Sequence, residues 1–81
     1  MKMILAKGAR SLYPHFPYSY DKLRTIFAEV GVDHRTFSHG ETPTDLYIKV
    51  LPVKEPPTDT QLNSLKDALN RTYTNARFEI V

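Results

Sequence analysis

The chain lacks cysteine altogether, and it has only three glycines and no long apolar run. Without cysteine there is no disulfide framework, no thiolate nucleophile and no cysteine zinc site. Three glycines, at positions 8, 31 and 40, cannot form a glycine-rich phosphate loop, and each is explained by a turn or a helix cap. The apolar run at residues 3–6 is far shorter than a secretory signal or a membrane span. We therefore expect a cytoplasmic protein without a cofactor and without a membrane partner.

What the chain does have is the composition of one small globular domain spanning residues 1–81. Hydrophobic residues make up 41% and charged residues 25%, with a formal net charge of +2. These fractions are ordinary for a folded chain and wrong for a disordered one. At this size folding buries only roughly 60% of the unfolded chain's surface, so stability lies low in the usual ~5–15 kcal/mol range.

The spacing of apolar residues predicts six elements of secondary structure, three in each half of the chain. Residues 2–7 form a short apolar strand that ends at Gly8, and a helix runs from Ser19, its cap, to Gly31, its stop. The apolar stripe of this helix repeats at helical spacing and consists of Leu23, Ile26, Phe27 and Val30. Residues 33–39 are predicted as a polar edge strand and residues 40–43 as a hairpin turn.

The second half of the chain has the same order of strand, helix and strand. Residues 46–50 alternate as a strand, and residues 52–57 form a proline-stiffened connector. Thr58 and Gln61 form a capping box for a second helix that stops at Asn75. The apolar stripe of that helix consists of Leu62, Leu65, Ala68, Leu69 and Tyr73, and residues 77–81 form the last strand. The order βαββαβ predicts an α+β, ferredoxin-like fold with a four-stranded antiparallel sheet and two helices on one face.

One stretch resembles a known family. Residues 23–32, LRTIFAEVGV, followed by a hairpin, are similar to the first helix and turn of ACT-type regulatory domains. Gly31 stands where that family turns from helix to strand, and the resemblance implies binding of a small ligand such as an amino acid near an interface. The proline–glycine entry into the helix is replaced here by Pro14-His15-Phe16-Pro17. Small-ligand sensing, in a homodimer, is therefore one functional alternative.

Catalytic and metal sites find little support in the sequence. No nucleophile elbow, HExxH motif or P-loop is present. Acylphosphatases share the predicted topology and use a loop arginine with a strand asparagine, but only Arg10 is present, since residues 44–51 contain no asparagine. His34 and His39 are expected on opposite faces of a strand, so they do not converge on a metal. We expect a protein that is not an enzyme and binds no metal.

The connection between the first strand and the first helix is long, basic and aromatic. Residues 7–20 contain four of the chain's nine aromatic residues, and prolines 14 and 17 restrict the segment before binding. Residues 1–24 hold five basic side chains and one acidic side chain, a balance of +4. Tyrosine and arginine are enriched at interface hot spots, although the rings could equally fold back over the core. The predicted partner-binding residues are Lys7, Arg10, Tyr13, His15, Phe16, Tyr18 and Tyr20.

The open face of the sheet is the second candidate surface. By alternation it carries Tyr47, Lys49 and Arg77, with Glu79 beside them. RNA-recognition motifs need two or three aromatic residues on the central strands, whereas this face supplies only Tyr47.

The leading functional hypothesis is a small protein-binding module, of the kind that phages and mobile elements encode as regulators or inhibitors of a host protein. The alternative is a nucleic-acid-binding protein that uses the basic aromatic segment and the open sheet face.

Overall fold

Within the residues that the structure describes, the fold consists of four strands and two α-helices. A computed structural model describes residues 2–13 and 20–81 of the chain. In chain order the elements are β1 (Met3–Ala6), α1 (Tyr20–Val30), β2 (Phe37–Glu41), β3 (Leu46–Val50), α2 (Asp59–Thr72) and β4 (Phe78–Ile80). Every neighbouring pair of strands is antiparallel, and the order across the sheet is β2-β3-β1-β4. The predicted α+β class, with a four-stranded antiparallel sheet and two helices, is confirmed.

The core lies between the helices and one face of the sheet. Alternate strand residues point into it because successive side chains of a strand lie on opposite faces. The buried strand residues are Ile4, Ala6, Phe37, Leu46, Ile48, Val50 and Phe78, and the helices contribute Leu23, Ile26, Phe27, Leu62, Leu65, Ala68 and Leu69. The two predicted helix stripes are thus confirmed as core, except that Val30 is only partly buried against it and Tyr73 is buried just beyond the end of α2. The rings of Phe27 and Phe37 stack with their centroids 5.2 Å apart, which joins α1 to β2.

Two predicted helix boundaries are confirmed by their caps. Gly31 follows α1 with φ +82°, and the N–H of Val32 donates to the carbonyl of Phe27 at 3.0 Å. This is the Schellman arrangement, which needs a residue that tolerates the left-handed region. At the start of α2, Thr58 Oγ1 accepts the N–H of Gln61, whose side chain accepts the N–H of Thr58. The predicted cap of α1, Ser19, lies outside the described residues.

The predicted strand over residues 33–39 is wrong at its start. Asp33 instead caps a single 3₁₀ turn, His34–Thr36, and β2 begins at Phe37. The Asp33 carboxylate accepts the backbone N–H of Arg35 at 2.9 Å and also pairs with its guanidinium. The side-chain hydrogen bond from Arg35 holds the pKa of the Asp33 carboxyl below its ordinary value. This local bonding competes with an extended backbone, as Asp side chains commonly do.

Two further predicted boundaries are shifted. Gly40 lies inside β2 and not in the hairpin turn, which is formed by residues 42–45 and closed by Thr42 N–H donating to Asp45 O at 2.9 Å. Helix α2 ends at Thr72, before the predicted stop at Asn75. Tyr73 takes the capping position, and the N–H of Ala76 donates to the Tyr73 carbonyl in the turn that follows. Among the described residues other than glycine, none adopts positive φ, so Asn75 is not a left-handed cap.

Strand β4 lies at the edge of the sheet, and one side chain of α2, that of Asn70, hydrogen-bonds to its backbone. The Phe78 N–H donates to Asn70 Oδ1 at 2.7 Å, and Asn70 Nδ2 donates to the Phe78 carbonyl at 3.1 Å. Met3 and Val81 exchange both backbone hydrogen bonds, so by antiparallel alternation the polar groups of Phe78 point away from β1. Asn70 therefore occupies the place that a further strand would take.

Neither helix, within the described ranges, combines the length and the apolar character that crossing a bilayer requires.

Candidate binding surface

The structure places four of the seven predicted partner-binding residues. Lys7 is exposed, whereas Arg10 and Tyr13 are half-buried and contact the rest of the fold. Tyr20 is the first residue of α1. The remaining predicted residues, His15, Phe16 and Tyr18, lie outside the described residues, so their role stays a prediction.

Arg10 is held by the β2–β3 hairpin. Its Nε lies 3.0 Å from Oε2 of Glu41, and its Nη2 donates to Oε1 of the same carboxylate at 3.1 Å. The backbone N–H of Arg10 donates to the Thr44 carbonyl at 3.2 Å, and the N–H of Gly8 donates to Asp45 Oδ1 at 2.8 Å. These contacts attach the start of the connection to the hairpin. Because Glu41 already neutralises the guanidinium, a partner would have to compete with it.

Tyr13 folds back onto the core. For this ring the structure thus gives the packing role that the sequence leaves open beside partner binding. The Tyr13 ring meets that of Tyr73 edge to face, with the centroids 5.0 Å apart and an interplanar angle of 82°. Its hydroxyl accepts the backbone N–H of Asn75 at 3.1 Å. On the other side, Lys22 Nζ lies 4.9 Å from the centroid of the Tyr73 ring. Tyr13 thus extends the core over the end of α2, where it excludes water from Tyr73.

Tyr73 makes the fold sensitive to alkaline pH. Burial, and secondarily the neighbouring Tyr13, raises the pKa of Tyr73 above its ordinary value of 10.0. Above that pH the unfolded chain loses the proton that the folded chain keeps, so the free energy of unfolding falls as pH rises toward the folded pKa. We expect urea midpoints measured between about pH 8 and about pH 11 to fall more for the wild type than for Tyr73→Phe. Equal slopes for the two proteins would contradict this assignment.

The outer face of the sheet carries a small apolar centre. Met3 and Leu5 on β1 point away from the core, as do Tyr47 and Lys49 on β3. In the sheet register Leu5 stands opposite Tyr47, and Met3 stands opposite Lys49. Met3, Leu5 and Tyr47 are half-buried, whereas Lys49 is exposed. The predicted placement of Tyr47 and Lys49 on this face agrees with the observed alternation.

These residues form the outer groove, a concavity of about 340 Å³ lined by Met3, Leu5, Thr42, Tyr47 and Lys49. The sequence did not single out Met3 and Leu5, because residues 3–6 are all apolar and show no alternation that would distinguish an outward side chain from a buried one. The signal that identifies them is the central position of β1, which pairs with β3 on one side and with β4 on the other. A central strand has two faces, and the helices leave one face of this sheet uncovered.

Tyr47 covers part of β2. A Cβ atom on Gly40 would lie 2.7 Å from the Tyr47 hydroxyl oxygen and 2.8 Å from Cζ, closer than side chains approach one another. The tyrosine ring therefore lies across the backbone of Gly40, its cross-strand neighbour. This packing holds the Tyr47 ring at one wall of the outer groove. It also explains why β2 has a glycine, Gly40, in its interior.

The charges around the outer groove are only partly compensated. Arg77, the third residue predicted here, precedes β4, and its Nε lies 3.1 Å from Oε1 of Glu79 on the same face. Lys49 has no ion-pair partner within residues 2–13 and 20–81. The groove thus has one uncompensated cation at its rim and a neutralised pair nearby.

Two other concavities lie beside the proline connector. One, of about 440 Å³, is formed largely by the proline connector, by Val50 and by Leu62, with Lys2 at its rim paired to Asp59. The other, of about 220 Å³, adjoins Gly31 at the turn that resembles ACT-type domains. Small-ligand binding there stays a prediction. In the part of the chain that the structure describes, no three His, Asp or Glu side chains converge as metal ligands.

No protein-family model, curated protein or solved structure matches this chain at a significant level.

Proposed function

We propose that this chain is a small, non-enzymatic protein-binding module with a ferredoxin-like βαββαβ fold, and that its partner docks on the outer face of the sheet. Support for the fold comes from the order of the six elements and from the strand order β2-β3-β1-β4. The single observation that carries the function is the outer groove. It places the half-buried side chains of Met3, Leu5 and Tyr47 on a face that no helix covers.

A protein suits this surface better than a nucleic acid does. Single-stranded nucleic acids need several stacking rings and a run of cations along the backbone path. Here the central strands present one ring, Tyr47, which already covers Gly40. Their other outward residues are the aliphatic Leu5 and the thioether Met3. Glu79 pairs with Arg77, whereas Lys49 lines the groove without an ion pair to any residue that the structure describes.

The biological role we propose is that of a regulator or inhibitor of another protein, of the type that phages and mobile elements encode. An apolar centre with a polar rim is the usual anatomy of a binding patch. The lack of cysteine is compatible with a reducing compartment, so we place the protein in the cytoplasm.

The proposal is tested by a paired substitution in a pull-down from lysate read by mass spectrometry. Leu5→Thr places a polar but strand-compatible side chain in the groove, and Leu12→Thr makes the same change at a residue that is 52% exposed elsewhere. We expect partner retention to fall at least about tenfold for Leu5→Thr, because an interface anchor contributes ~2 kcal/mol or more. Retention should be unchanged for Leu12→Thr.

Thermal unfolding of each variant checks that the fold survives. If folded Leu5→Thr retains the same partner as the wild type, the outer groove is not the binding site. If Phe16→Ala and Tyr18→Ala abolish retention instead, the partner binds the connection between β1 and α1.

A further inference from the structure

We infer that the partner presents an extended acidic segment, whose apolar side chain enters the outer groove while a carboxylate two residues away pairs with Lys49. This inference rests on the proposed function and adds the chemistry of the partner. It comes from the position of Lys49, which has no ion pair within the described residues, relative to the apolar lining of the groove.

Two arginines of the fold are already paired with carboxylates. Arg10 is bound by Glu41 and Arg77 by Glu79, and both pairs have N–O distances of about 3 Å. Lys49 is exposed, stands opposite Met3 in the register and lines the groove without an ion pair in the described ranges. An occupant with a carboxylate at this rim gains an ion pair that requires no existing pair to break. A basic occupant would instead meet like charge.

The geometry of β3 sets the spacing within the occupant. Tyr47 and Lys49 are two residues apart on one face, so their side chains emerge about 6.6 Å apart. Side chains two residues apart on an extended partner have the same separation. The occupant therefore carries its acidic and apolar residues at positions i and i+2, in either direction. A groove of about 340 Å³ is at the small end of the ~300–1,000 Å³ typical of ligand pockets, which suits one or two side chains.

A second copy of the chain suits this face poorly. Four strands about 4.8 Å apart and three to five residues long make a face of roughly 270 Å². A standard interface buries about 800 Å² per partner, so face-to-face pairing alone falls short of a stable dimer. Each copy would also bring a lysine to the same face. A short segment of a different protein fits both the area and the charge.

The test is an NMR titration of the ¹⁵N-labelled chain with three probes. The first is the blocked peptide Gly-Asp-Ser-Phe-Ser-Asp-Gly, the second has lysine in place of both aspartates, and the third is single-stranded oligo(dT). We expect the acidic peptide to shift the amide signals of Met3, Leu5, Tyr47 and Lys49 and to bind about three- to tenfold more tightly than the lysine peptide, since an exposed ion pair is worth up to ~1 kcal/mol and the lysine peptide meets like charge. The oligonucleotide should leave these signals unchanged.

Two charge-matched variants complete the design. Lys49→Glu should reverse the preference between the two peptides, whereas Lys54→Glu, the same change at an exposed lysine of the connector, should preserve it. The inference is overturned if both peptides bind equally, if Lys49→Glu keeps the acidic preference, or if the acidic peptide shifts none of the four signals. Binding of the oligonucleotide on this face would overturn it in favour of nucleic acid. The pull-down with Leu5→Thr tests the proposed function separately, because partner retention in that experiment depends on the apolar groove and not on the charge of Lys49.

Discussion

Leu65→Ala is expected to lower the free energy of unfolding by about 2–5 kcal/mol. Leu65 has no exposed surface and lies in the middle of α2, within the one core that both helices share with the sheet. The substitution removes the transfer free energy of the buried atoms and leaves a cavity that close-packed neighbours fill only in part. Leucine and alanine are both good helix formers, so the loss reports packing and not helix propensity.

This loss is large relative to the total stability. A chain of 81 residues at ~0.05–0.15 kcal/mol per residue has roughly 4–12 kcal/mol in all. Urea unfolding followed by circular dichroism measures the change, with Leu12→Ala as the matched control. Leu12 is 52% exposed, so its truncation should change stability by no more than ~0.5 kcal/mol. Comparable losses at the two leucines would show that the core is not where the structure places it.

Asn70→Ala is expected to lower the free energy of unfolding by about 2–3 kcal/mol, because it removes two hydrogen bonds to the backbone of Phe78. The Asn70 side chain accepts the Phe78 N–H and donates to the Phe78 carbonyl, and both bonds are partly buried. Without them two backbone groups of the edge strand lose their partners, at ~1–3 kcal/mol for each group that stays buried. Since β4 is only three residues long, we expect its pairing with β1 to weaken as well.

Hydrogen exchange at the Phe78 amide and urea unfolding measure this prediction. Asn63→Ala is the matched control, because Asn63 lies on the same helix and its side chain donates to the exposed Asp59 carbonyl at 2.9 Å. That substitution should change stability by no more than ~0.5 kcal/mol and leave Phe78 protected. Unaltered protection of the Phe78 amide in Asn70→Ala would mean that Asn70 does not hold the edge strand.

Asn70 also bears on how the proposed module meets its partner. The side chain occupies the outward polar groups of Phe78, so an added strand cannot pair there without displacing it. Open edges invite pairing with other chains, and proteins commonly blunt them. A module that binds through the face of its sheet benefits from an edge closed in this way, because strand addition at β4 would otherwise draw the chain into other assemblies.

Local pattern was sufficient for most of the fold. The apolar stripe of α2 and its Thr58–Gln61 capping box are short-range features, and both appear as predicted. Gly31 ends α1 for an equally local reason, the low steric cost of positive φ. Local pattern failed at Asp33, where a side chain bonding its own backbone competed with the strand, and at Gly40, which resembles a turn glycine until its cross-strand partner is known.

The sequence by itself determined the class of fold, the core stripes and the outward position of Tyr47 and Lys49, because helical and strand periodicities act over a few residues. Only the tertiary structure decided the rest, which depends on residues far apart in the chain. It brought Arg10 to Glu41, laid Tyr13 on Tyr73 and put β1 between β3 and β4. That last placement turns the apolar residues Met3 and Leu5 into the floor of a groove, since a central strand has two faces and the helices cover one.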